Sequence, residues 1–463
     1  MTIDVFPFAG YPVAVMGLGK SGRVAARALM RSGAEVSAWD DAPAARDAAA
    51  AEDIPLVDLS KWSTDEWREA TTLVLSPGLP HRFPKPHPVA AAAQAAGVEI
   101  ICDIELLGRT QRDASFVGIT GTNGKSTTTA LVGHILEMAG RDVAVGGNLG
   151  PPALSLDALG ESGTYVLEMS SYQLERTVSI TFDAAALLNI SPDHLDRHGG
   201  MDGYIAAKRQ IFHRQTKPRA AVIGVDDPHC AAIHDALKAK GDQIVIPISA
   251  ETKRHGGVYA PDGVLFDDMD GREVRAVDLR MIETLQGRHN WQNACAAYAL
   301  CRVMGVQEPV IVQCLRNFPG LAHRQEVVGS IDGVRFVNDS KATNADAATR
   351  ALAAFAPIYW IAGGRAKAGG LDALGPELIG VRRAFLIGEC AEDFAAQLKG
   401  KVETKICGDL QSATVAAFTA ASADDMFGAT VLLSPAAASF DQFENFEARG
   451  DAFRAIAEGL GAD

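Results

Sequence analysis

The fold class is indicated first by one stretch of sequence, Phe116-Val-Gly-Ile-Thr-Gly-Thr-Asn-Gly-Lys-Ser-Thr-Thr128. It leads from an apolar run through a glycine-rich turn into a segment that can begin a helix. The run Phe116–Ile119 predicts a buried strand. Backbone amides of the turn can hold phosphate oxygens, while Lys125 neutralises their charge and Ser126 reaches Mg²⁺. The strict motif has glycine where Ile119 stands, but the succession of strand, turn and helix still indicates ATP binding.

The same succession of apolar run, turn and amphipathic segment recurs along the 463 residues. Strands that alternate with helices predict parallel α/β sheets, whose ligands bind beyond the carboxyl ends of the strands. The other predicted strands include Val13–Met16, Thr72–Leu75, Tyr165–Leu167, Ala185–Leu188 and Thr430–Leu433. The residues that directly follow these runs are therefore the first candidates for function.

The length of the chain predicts about three domains of ordinary size. A charged segment, Asp103–Ala114, precedes the strand that leads into the quoted turn. Further on, Asn317–Arg324 interrupts a helical region with Pro and Gly, and the alternation of strand and helix then restarts. We therefore expect domains at residues 1–110, 111–320 and 321–463.

The charge balance, 43 Lys and Arg against 57 Asp and Glu, gives a net charge of −14. An acidic chain repels nucleic-acid phosphates, so we expect no broad nucleic-acid surface, although a local phosphate site is compatible with it. No apolar run reaches the roughly 18 residues of a membrane span, and the N-terminus lacks the basic residues of a signal peptide. The seven cysteines form no Cys-x-x-Cys pair, which favours reduced, buried thiols and a cytoplasmic protein.

A second glycine-rich turn, Gly17-Leu-Gly19-Lys20-Ser21-Gly22, follows the strand Val13–Met16. Asp40 stands roughly 20 residues further on, after the predicted strand Glu35–Trp39. Glycines at this spacing allow a tight turn and the close approach of a diphosphate to a helix N-terminus. The motif predicts a nucleotide diphosphate site but does not distinguish NAD from another diphosphate. An NAD-dependent oxidoreductase is therefore one alternative.

Polar side chains follow further strands of the predicted central sheet. Asn148, Glu168 and Asn189 each end an apolar run, and His194 lies shortly after the last of them. A carboxylate beside a phosphate-binding loop suits Mg²⁺, which prefers one or two carboxylates together with phosphate oxygens. Together these side chains predict a metal site. Lys208 lies on a predicted amphipathic helix, where composition alone indicates a solvated surface residue.

One helix and three C-terminal segments combine amides or cations with small polar residues. Asn290 and Asn293 are three residues apart on a helix predicted from Gly287 to about Met304, so they share one face and can bind a purine or a phosphate. The three segments each follow a strand and suit an acidic small molecule and a nucleotide. They are Asn338–Asn344, Gly363–Gly369 and Ser434–Phe446.

These motifs, taken in order over essentially the whole chain, resemble the Mur ligases, the ATP-dependent amide-forming enzymes of peptidoglycan precursor synthesis. The resemblance rests on the Gly17–Gly22 turn with Ser76-Pro77-Gly78, on the block Leu167–Glu175 and on the tail block Ser434–Phe446. It implies three α/β domains: a Rossmann-like N-terminal domain for a UDP-linked substrate, a central P-loop ATPase domain, and a Rossmann-like C-terminal domain for an amino acid.

Within the family the resemblance is closest to members that join D-glutamate to UDP-N-acetylmuramoyl-L-alanine through an acyl phosphate. It implies those two substrates, ATP with two Mg²⁺ ions, and a diphosphate site that serves UDP and not NAD. It further implies a monomer in the cytoplasm that binds neither nucleic acid nor membrane. The alternatives are the diaminopimelate-adding Mur enzyme, a folylpolyglutamate synthetase, and a non-catalytic nucleotide-dependent binding protein.

The resemblance also implies a role for each matching residue. Catalytic roles fall to Lys125, Glu168, His194 and Lys208, and Mg²⁺ ligation to Ser126, Glu168, His194 and Lys208, the lysine as a carbamate. ATP binding falls to Gly121, Thr122, Asn123, Gly124, Lys125, Ser126, Thr127, Thr128, Asn290, Asn293, Arg324, Asp339 and Lys341. The UDP-linked substrate falls to Gly19, Lys20, Ser21, Ser76, Pro77, Gly78, Asn148 and Ser170, and D-glutamate to Thr343, Lys367, Ser439, Phe440 and Phe446.

Overall fold

The structure, a computed structural model, describes residues 3–148, 150–366 and 369–461. Lys367, which the resemblance assigns to D-glutamate, lies outside these residues. The described strands form three sheets, of four, nine and six strands. The chain divides into two compact units, Met1–Phe318 and Pro319–Asp463, so the first unit holds two sheets and the second holds one. The predicted α/β class is confirmed.

The first sheet is a small parallel sheet near the N-terminus. Its strands are β1 (Pro12–Met16), β2 (Glu35–Trp39), β3 (Thr72–Leu75) and β4 (Glu99–Ile101). Its helices are α1 (Lys20–Arg31), α2 (Pro43–Ala50), α3 (Thr64–Glu69), α4 (Pro88–Ala95) and α5 (Asp103–Thr110). The strand order is β2-β1-β3-β4. The turns that follow β1 and β3 are therefore neighbours at the carboxyl edge.

The second sheet forms the centre of the first unit. Its strands are β5 (Ser115–Thr120), β6 (Val143–Gly147), β7 (Thr164–Glu168), β8 (Ala184–Leu187), β9 (Ala220–Gly224), β10 (Ile244–Ser249), β11 (Val258–Tyr259), β12 (Val264–Asp267) and β13 (Val274–Asp278). Its helices are α6 (Lys125–Met138), α7 (Ser171–Leu174), α8 (Leu195–His198), α9 (Met201–Arg209), α10 (Pro228–Lys240), α11 (Arg288–Val303) and α12 (Glu308–Arg316). The strand order is β13-β12-β11-β10-β9-β8-β5-β7-β6, antiparallel only at the β11–β12 and β12–β13 pairs. The glycine-rich turn after β5 thus lies between the ends of β7 and β8.

The third sheet belongs to the second unit. Its strands are β14 (Glu326–Ile331), β15 (Val334–Asn338), β16 (Ile358–Gly363), β17 (Val381–Ile387), β18 (Glu403–Gly408) and β19 (Thr430–Leu433). Its helices are α13 (Ala345–Ala354), α14 (Ala391–Leu398), α15 (Leu410–Asp424) and α16 (Phe446–Leu460). The strand order is β14-β15-β19-β16-β17-β18. Because β15, β19 and β16 are adjacent and parallel, the three polar segments predicted in this region meet at one edge.

Burial explains why the strands read as unbroken apolar runs. Every residue of β7 and β8 is buried, as expected for parallel strands covered on both faces. Val15 of β1, Ile104 of α5 and Leu167 of β7 belong to one hydrophobic cluster, so the two sheets of the first unit share a core. None of the seven cysteines is paired in a disulfide, and six of them are buried, as expected for thiols of the core.

A methyl group added at Gly22 tests the packing of α1 against the turn that precedes it. Its Cβ would lie 1.8 Å from the carbonyl oxygen of Gly17, so the turn must shift. We expect Gly22→Ala to lower the free energy of unfolding by ~1–3 kcal/mol. Gly19→Ala is the matched control, because a Cβ there meets no atom within 4 Å. Urea unfolding followed by tryptophan fluorescence compares the two, and an equal loss of stability in both would contradict this view of the turn.

Candidate nucleotide and substrate site

The turn after β5 is shaped for close approach of a ligand to its backbone. Gly124 is the N-cap of α6 with φ +84°, and a Cβ there would lie 2.2 Å from the amide oxygen of Asn293. Only glycine combines this backbone conformation with this contact. Lys125 Nζ donates hydrogen bonds to the carbonyl oxygens of Gly121 and Thr122, both at 2.9 Å. Its charge therefore lies over the turn, where the sequence predicts phosphate.

Asn189, at the end of the β8 run, holds this turn in shape. Its Oδ1 accepts a hydrogen bond from the backbone amide of Asn123 at 2.9 Å, and its Nδ2 donates to the carbonyl of the same residue at 3.2 Å. Nδ2 also donates to Gln292 Oε1 at 3.3 Å, which links the turn to α11. The sequence predicts that Asn189 belongs to a metal site, but in the structure both polar atoms of its amide form hydrogen bonds with the backbone of the turn.

Glu168, the last residue of β7, is a buried carboxylate next to the turn. Asn148 Nδ2 donates to its Oε1 at 2.7 Å, while Oε2 is buried without a hydrogen-bond partner among the described residues. An orphaned buried carboxylate oxygen is the kind of atom that a cation satisfies. Within the described ranges, no three His, Cys, Asp or Glu side chains gather into a metal site by themselves. A cation here would therefore take part of its ligands from phosphate or water.

Lys208 is buried, with 2 % of its surface exposed, so the expectation of a solvated lysine from composition alone is wrong. It lies on α9, and its Nζ donates a hydrogen bond to Gly121 O at 2.7 Å. Burial, and then the nearby charge of Lys125, lower the pKa of Lys208 well below its ordinary value. The ammonium also lies 4.8 Å from the ring centre of Tyr204, whose hydroxyl is 3.1 Å from Thr122 Oγ1.

His194 is the N-cap of α8 and has the left-handed conformation, with φ +51° and an exposed side chain. The centre of its ring lies 5.2 Å from the centre of the Tyr172 ring. The ring of His198 stacks on the same tyrosine, with the ring centres 5.4 Å apart. Buried His198 in turn bonds Glu175 Oε1 at 2.7 Å and Ser171 Oγ at 2.9 Å. Sequence reasoning missed this aromatic stack; the closely spaced aromatic and His residues are its only signal.

The turns of the first sheet bring the residues assigned to UDP together. Ser76 Oγ donates to Gly17 O at 3.1 Å, which joins the turns after β1 and β3. Asp40 accepts a hydrogen bond from Leu18 N at 2.6 Å, so the acidic residue of the fingerprint holds its glycine-rich turn. Ser170 caps α7 in a capping box with Gln173, and this fixes its position beside Glu168.

The third sheet places Asp339 in a buried position at its carboxyl edge. Its two oxygens accept hydrogen bonds from Gln325 N at 3.2 Å and from Ser434 Oγ at 2.8 Å. Burial is the largest cause that raises the pKa of Asp339, to about 7. Buried Arg449 of α16 donates to the carbonyls of Ser340 and Ala437 at 2.9 and 3.1 Å, which ties two of the three polar segments together.

Several residues assigned to D-glutamate lie on these same segments. Lys341 Nζ is 3.8 Å from the ring centre of Phe446, and Ser340 Oγ donates to the carbonyl of Phe446 at 2.8 Å. Ser439 is buried, whereas the ring of Phe440 is 64 % exposed and open to a ligand.

Within the first unit, Asn293 Nδ2 donates to Asn290 Oδ1 at 3.2 Å, so the predicted shared helix face is confirmed.

The glycine-rich turn, the orphaned carboxylate and the buried lysine at one sheet edge are the features expected of a nucleotide-dependent enzyme of the P-loop class. Three family models match the chain: the MurD-like N-terminal domain of Mur ligases over residues 11–102, the Mur ligase middle domain over 119–301, and the Mur ligase glutamate ligase domain over 323–437. The chain belongs to the Mur ligase family.

Full-length relatives agree with these matches. The UDP-N-acetylmuramoylalanine--D-glutamate ligase of Rhodospirillum rubrum is 54 % identical over 99 % of this chain and 96 % of its own length. The enzyme of the same name from Caulobacter sp. strain K31 is 52 % identical, over 99 % and 98 %. The structure of UDP-N-acetylmuramate-alanine ligase MurC from Thermotoga maritima shares the fold, with a TM-score of 0.59 at 16 % identity over 97 % of this chain and 99 % of that one.

None of the helices in the described part of the chain has the length and hydrophobicity to cross a membrane.

Replacement of Asn189 tests whether its amide keeps the turn Gly121–Ser126 in shape. Asn189→Ala deletes two hydrogen bonds to the backbone of Asn123, and we expect roughly fivefold to thirtyfold weaker binding of MgATP. Asn317→Ala, at an exposed position that ends α12, is the matched control and leaves the affinity unchanged. Calorimetric titration with a non-hydrolysable ATP analogue measures both. Unchanged affinity in Asn189→Ala would show that the turn keeps its shape without this side chain.

The raised pKa of Asp339 predicts a pH dependence of stability. The folded state holds its proton up to about pH 7, whereas the carboxyl of the unfolded chain releases it near the ordinary aspartate pKa of 3.8. Its contribution to stability is therefore full at low pH and falls as the pH rises between these values. Asp339→Asn removes this titration. Thermal unfolding of both proteins from pH 4 to pH 8 should show the wild type losing stability relative to the variant up to about pH 7; a constant difference would contradict the burial of a neutral carboxyl.

Proposed function

We propose that this chain joins the amino group of D-glutamate to the terminal carboxylate of UDP-N-acetylmuramoyl-L-alanine, with cleavage of ATP to ADP and phosphate. The use of ATP is supported by the position of the turn Gly121–Ser126 beside buried Glu168. The Oε2 atom of Glu168 has no hydrogen-bond partner among the described residues. Full-length identity above 50 % to ligases of this name supports the substrates. The proposal extends to a monomeric, cytoplasmic enzyme that uses two Mg²⁺ ions and no NAD.

The chemistry explains why ATP is needed. A carboxylate is a poor acyl donor, so the γ-phosphoryl group is first transferred to the alanine carboxylate, which yields an acyl phosphate. The neutral amine of D-glutamate then attacks the carbonyl carbon, the bond to the phosphate oxygen breaks, and phosphate leaves with the electron pair while the amine loses a proton. Water must be kept from the acyl phosphate, because hydrolysis would waste it.

Lys125 and the turn amides are proposed to bind the ATP phosphates. In the structure Lys125 donates to the carbonyls of Gly121 and Thr122, and phosphate oxygens would replace these acceptors. Asn189 keeps the turn in the shape that presents its amides. The other residues proposed to bind ATP are Asn290, Asn293, Arg324, Asp339 and Lys341.

Ser126, Glu168, His194 and Lys208 are proposed to hold Mg²⁺. The orphaned oxygen of Glu168 fits a cation, and the ion, when bound, spreads the negative charge of the phosphates. Lys208 fits this role as a carbamate, formed when its neutral amine adds to CO₂ and loses a proton. Burial favours that neutral amine, since it lowers the pKa of Lys208.

The remaining residues are proposed to bind the two substrates that are joined. Gly19, Lys20, Ser21, Ser76, Pro77 and Gly78, at the joined turns of the first sheet, would hold UDP, with Asn148 and Ser170 nearer the sugar. Thr343, Lys367, Ser439, Phe440 and Phe446 would receive D-glutamate. Ser439, Phe440 and Phe446 come from one segment, and the exposed ring of Phe440 leaves that segment accessible to a ligand.

Phosphate release tests the proposed reaction. We expect turnover with UDP-N-acetylmuramoyl-L-alanine, MgATP and D-glutamate, and none when diaminopimelate or L-glutamate replaces D-glutamate. Lys125→Ala should slow turnover about 10²-fold or more, because it removes a cation from the transferred phosphoryl group. Lys240→Ala is the control, since Lys240 is an exposed residue paired with Asp242 at 2.7 Å.

Three results would contradict the proposal or one of its parts. Turnover driven by diaminopimelate in place of D-glutamate would assign the chain to another amide-forming activity. Full turnover in Lys125→Ala would remove the assignment of the phosphate-binding turn. Nucleotide binding without turnover for any amino acid would favour a non-catalytic binding protein.

A further inference from the structure

Two arginines that follow strands of the second sheet bond the turn Ser76–Leu79, which follows β3 and is proposed to bind UDP. Arg176 lies two residues beyond α7, and Arg197 lies within α8. Arg176 Nη1 donates to the carbonyls of Leu75 and Ser76 at 3.0 and 2.8 Å, and its Nη2 donates to that of Leu79. A single guanidinium therefore satisfies three carbonyls of one short turn.

Arg197 holds the same turn from a second side. Its Nη1 donates to the carbonyl of Gly78 at 2.7 Å. Its guanidinium also lies 4.5 Å from the ring centre of Tyr172, the ring that packs against His194. The turn after β3 and the start of α8, which carries His194, are thus joined through one side chain.

Burial makes the Arg176 contacts strong and rigid. The residue is 1 % exposed, and its Nε donates to Nδ1 of buried His81 at 3.4 Å. Burial, and then the charge of Arg176, lower the pKa of His81 to about 4, so this ring is neutral and accepts the hydrogen bond at neutral pH. Glu175 lies 3.7 Å from the same ring nitrogen and bonds His198, which connects the arrangement to α8.

We propose that Arg176 and Arg197 are positioning residues that fix the turn Ser76–Leu79 relative to the nucleotide and metal side of the site. This role rests on the proposed function, because it presupposes that the turn binds the uridine diphosphate of the substrate. The two ends of that substrate must reach two sheets at once: the diphosphate at the first and the reacting carboxylate at the second. A misplaced turn would shift the carboxylate away from the γ-phosphate, and a shift of about 1 Å can cost up to 10²-fold in rate.

The experiment compares Arg176→Met, Arg176→Lys and Arg197→Met in the full-length protein. We expect Arg176→Met and Arg197→Met to lower kcat and to raise the KM for UDP-N-acetylmuramoyl-L-alanine, each about tenfold or more, while the KM for ATP changes less than about twofold. Arg176→Lys should fall between, since an ammonium lacks the planar fork that reaches several carbonyls. Titration with UDP alone should show the same order of affinities.

Arg302→Met is the matched control, because Arg302 of α11 is a part-buried arginine that pairs with Asp267 and Asp270. It should lower the thermal midpoint but leave the ratio of the two KM values unchanged. A merely structural role of Arg176 would give this same pattern and would overturn the inference. So would equal rises of all KM values in both methionine variants.

Each remaining outcome is also decisive. Should Arg176→Met fail to fold, Arg197→Met, at a half-buried position, gives the answer. Absence of turnover in the wild-type protein would count against the proposed function instead. In that case UDP titration still decides: affinity lowered about tenfold in the methionine variants supports the positioning role, and unchanged affinity refutes it.

Discussion

Irregular turns at the edges of buried sheets have carbonyl groups that need hydrogen-bond donors, and this need shapes the whole site. A phosphate site keeps the amides of such a turn available, so side chains must satisfy its carbonyls. Here Lys125 and Lys208 donate to Gly121 O, and Asn189 bonds both polar backbone groups of Asn123. Asn189 and Lys208, which come from other elements, therefore hold the turn in shape, while Lys125 can exchange its carbonyl acceptors for phosphate oxygens.

The same constraint resolves the contrast between an acidic chain and anionic ligands. Although the net charge is −14, individual cations such as Lys208 and Arg176 are buried where turns need hydrogen-bond donors. Burial, which disfavours the charged form, is the largest cause that lowers the pKa of Lys208, and the nearby charge of Lys125 lowers it further. The neutral amine is the form that the proposed carbamate requires, and the carbamate would replace a buried cation by an anionic metal ligand beside Lys125.

Much of the fold could be predicted because parallel buried strands are continuous apolar runs. The predicted strands Thr72–Leu75 and Thr430–Leu433 have the observed bounds. Short-range motifs such as Gly121–Ser126 could also be predicted, since the residues that matter lie within one turn. The burial of Lys208 could not be predicted, because its partner Gly121 is 87 residues away and the sequence of its helix is amphipathic.

The contacts of Arg176 show the same limit more sharply, because they connect residues about 100 positions apart. Arg449 of α16 repeats the arrangement in the second unit, where it donates to Ser340 O and Ala437 O. Both arginines are 1 % exposed, and burial lowers the pKa of each to about 10, so both stay charged at neutral pH. A guanidinium suits such a position better than an ammonium, since it is more weakly hydrated and its planar fork spans several acceptors. Loss of either would leave buried carbonyls without donors, and the turns that they hold would have to rearrange.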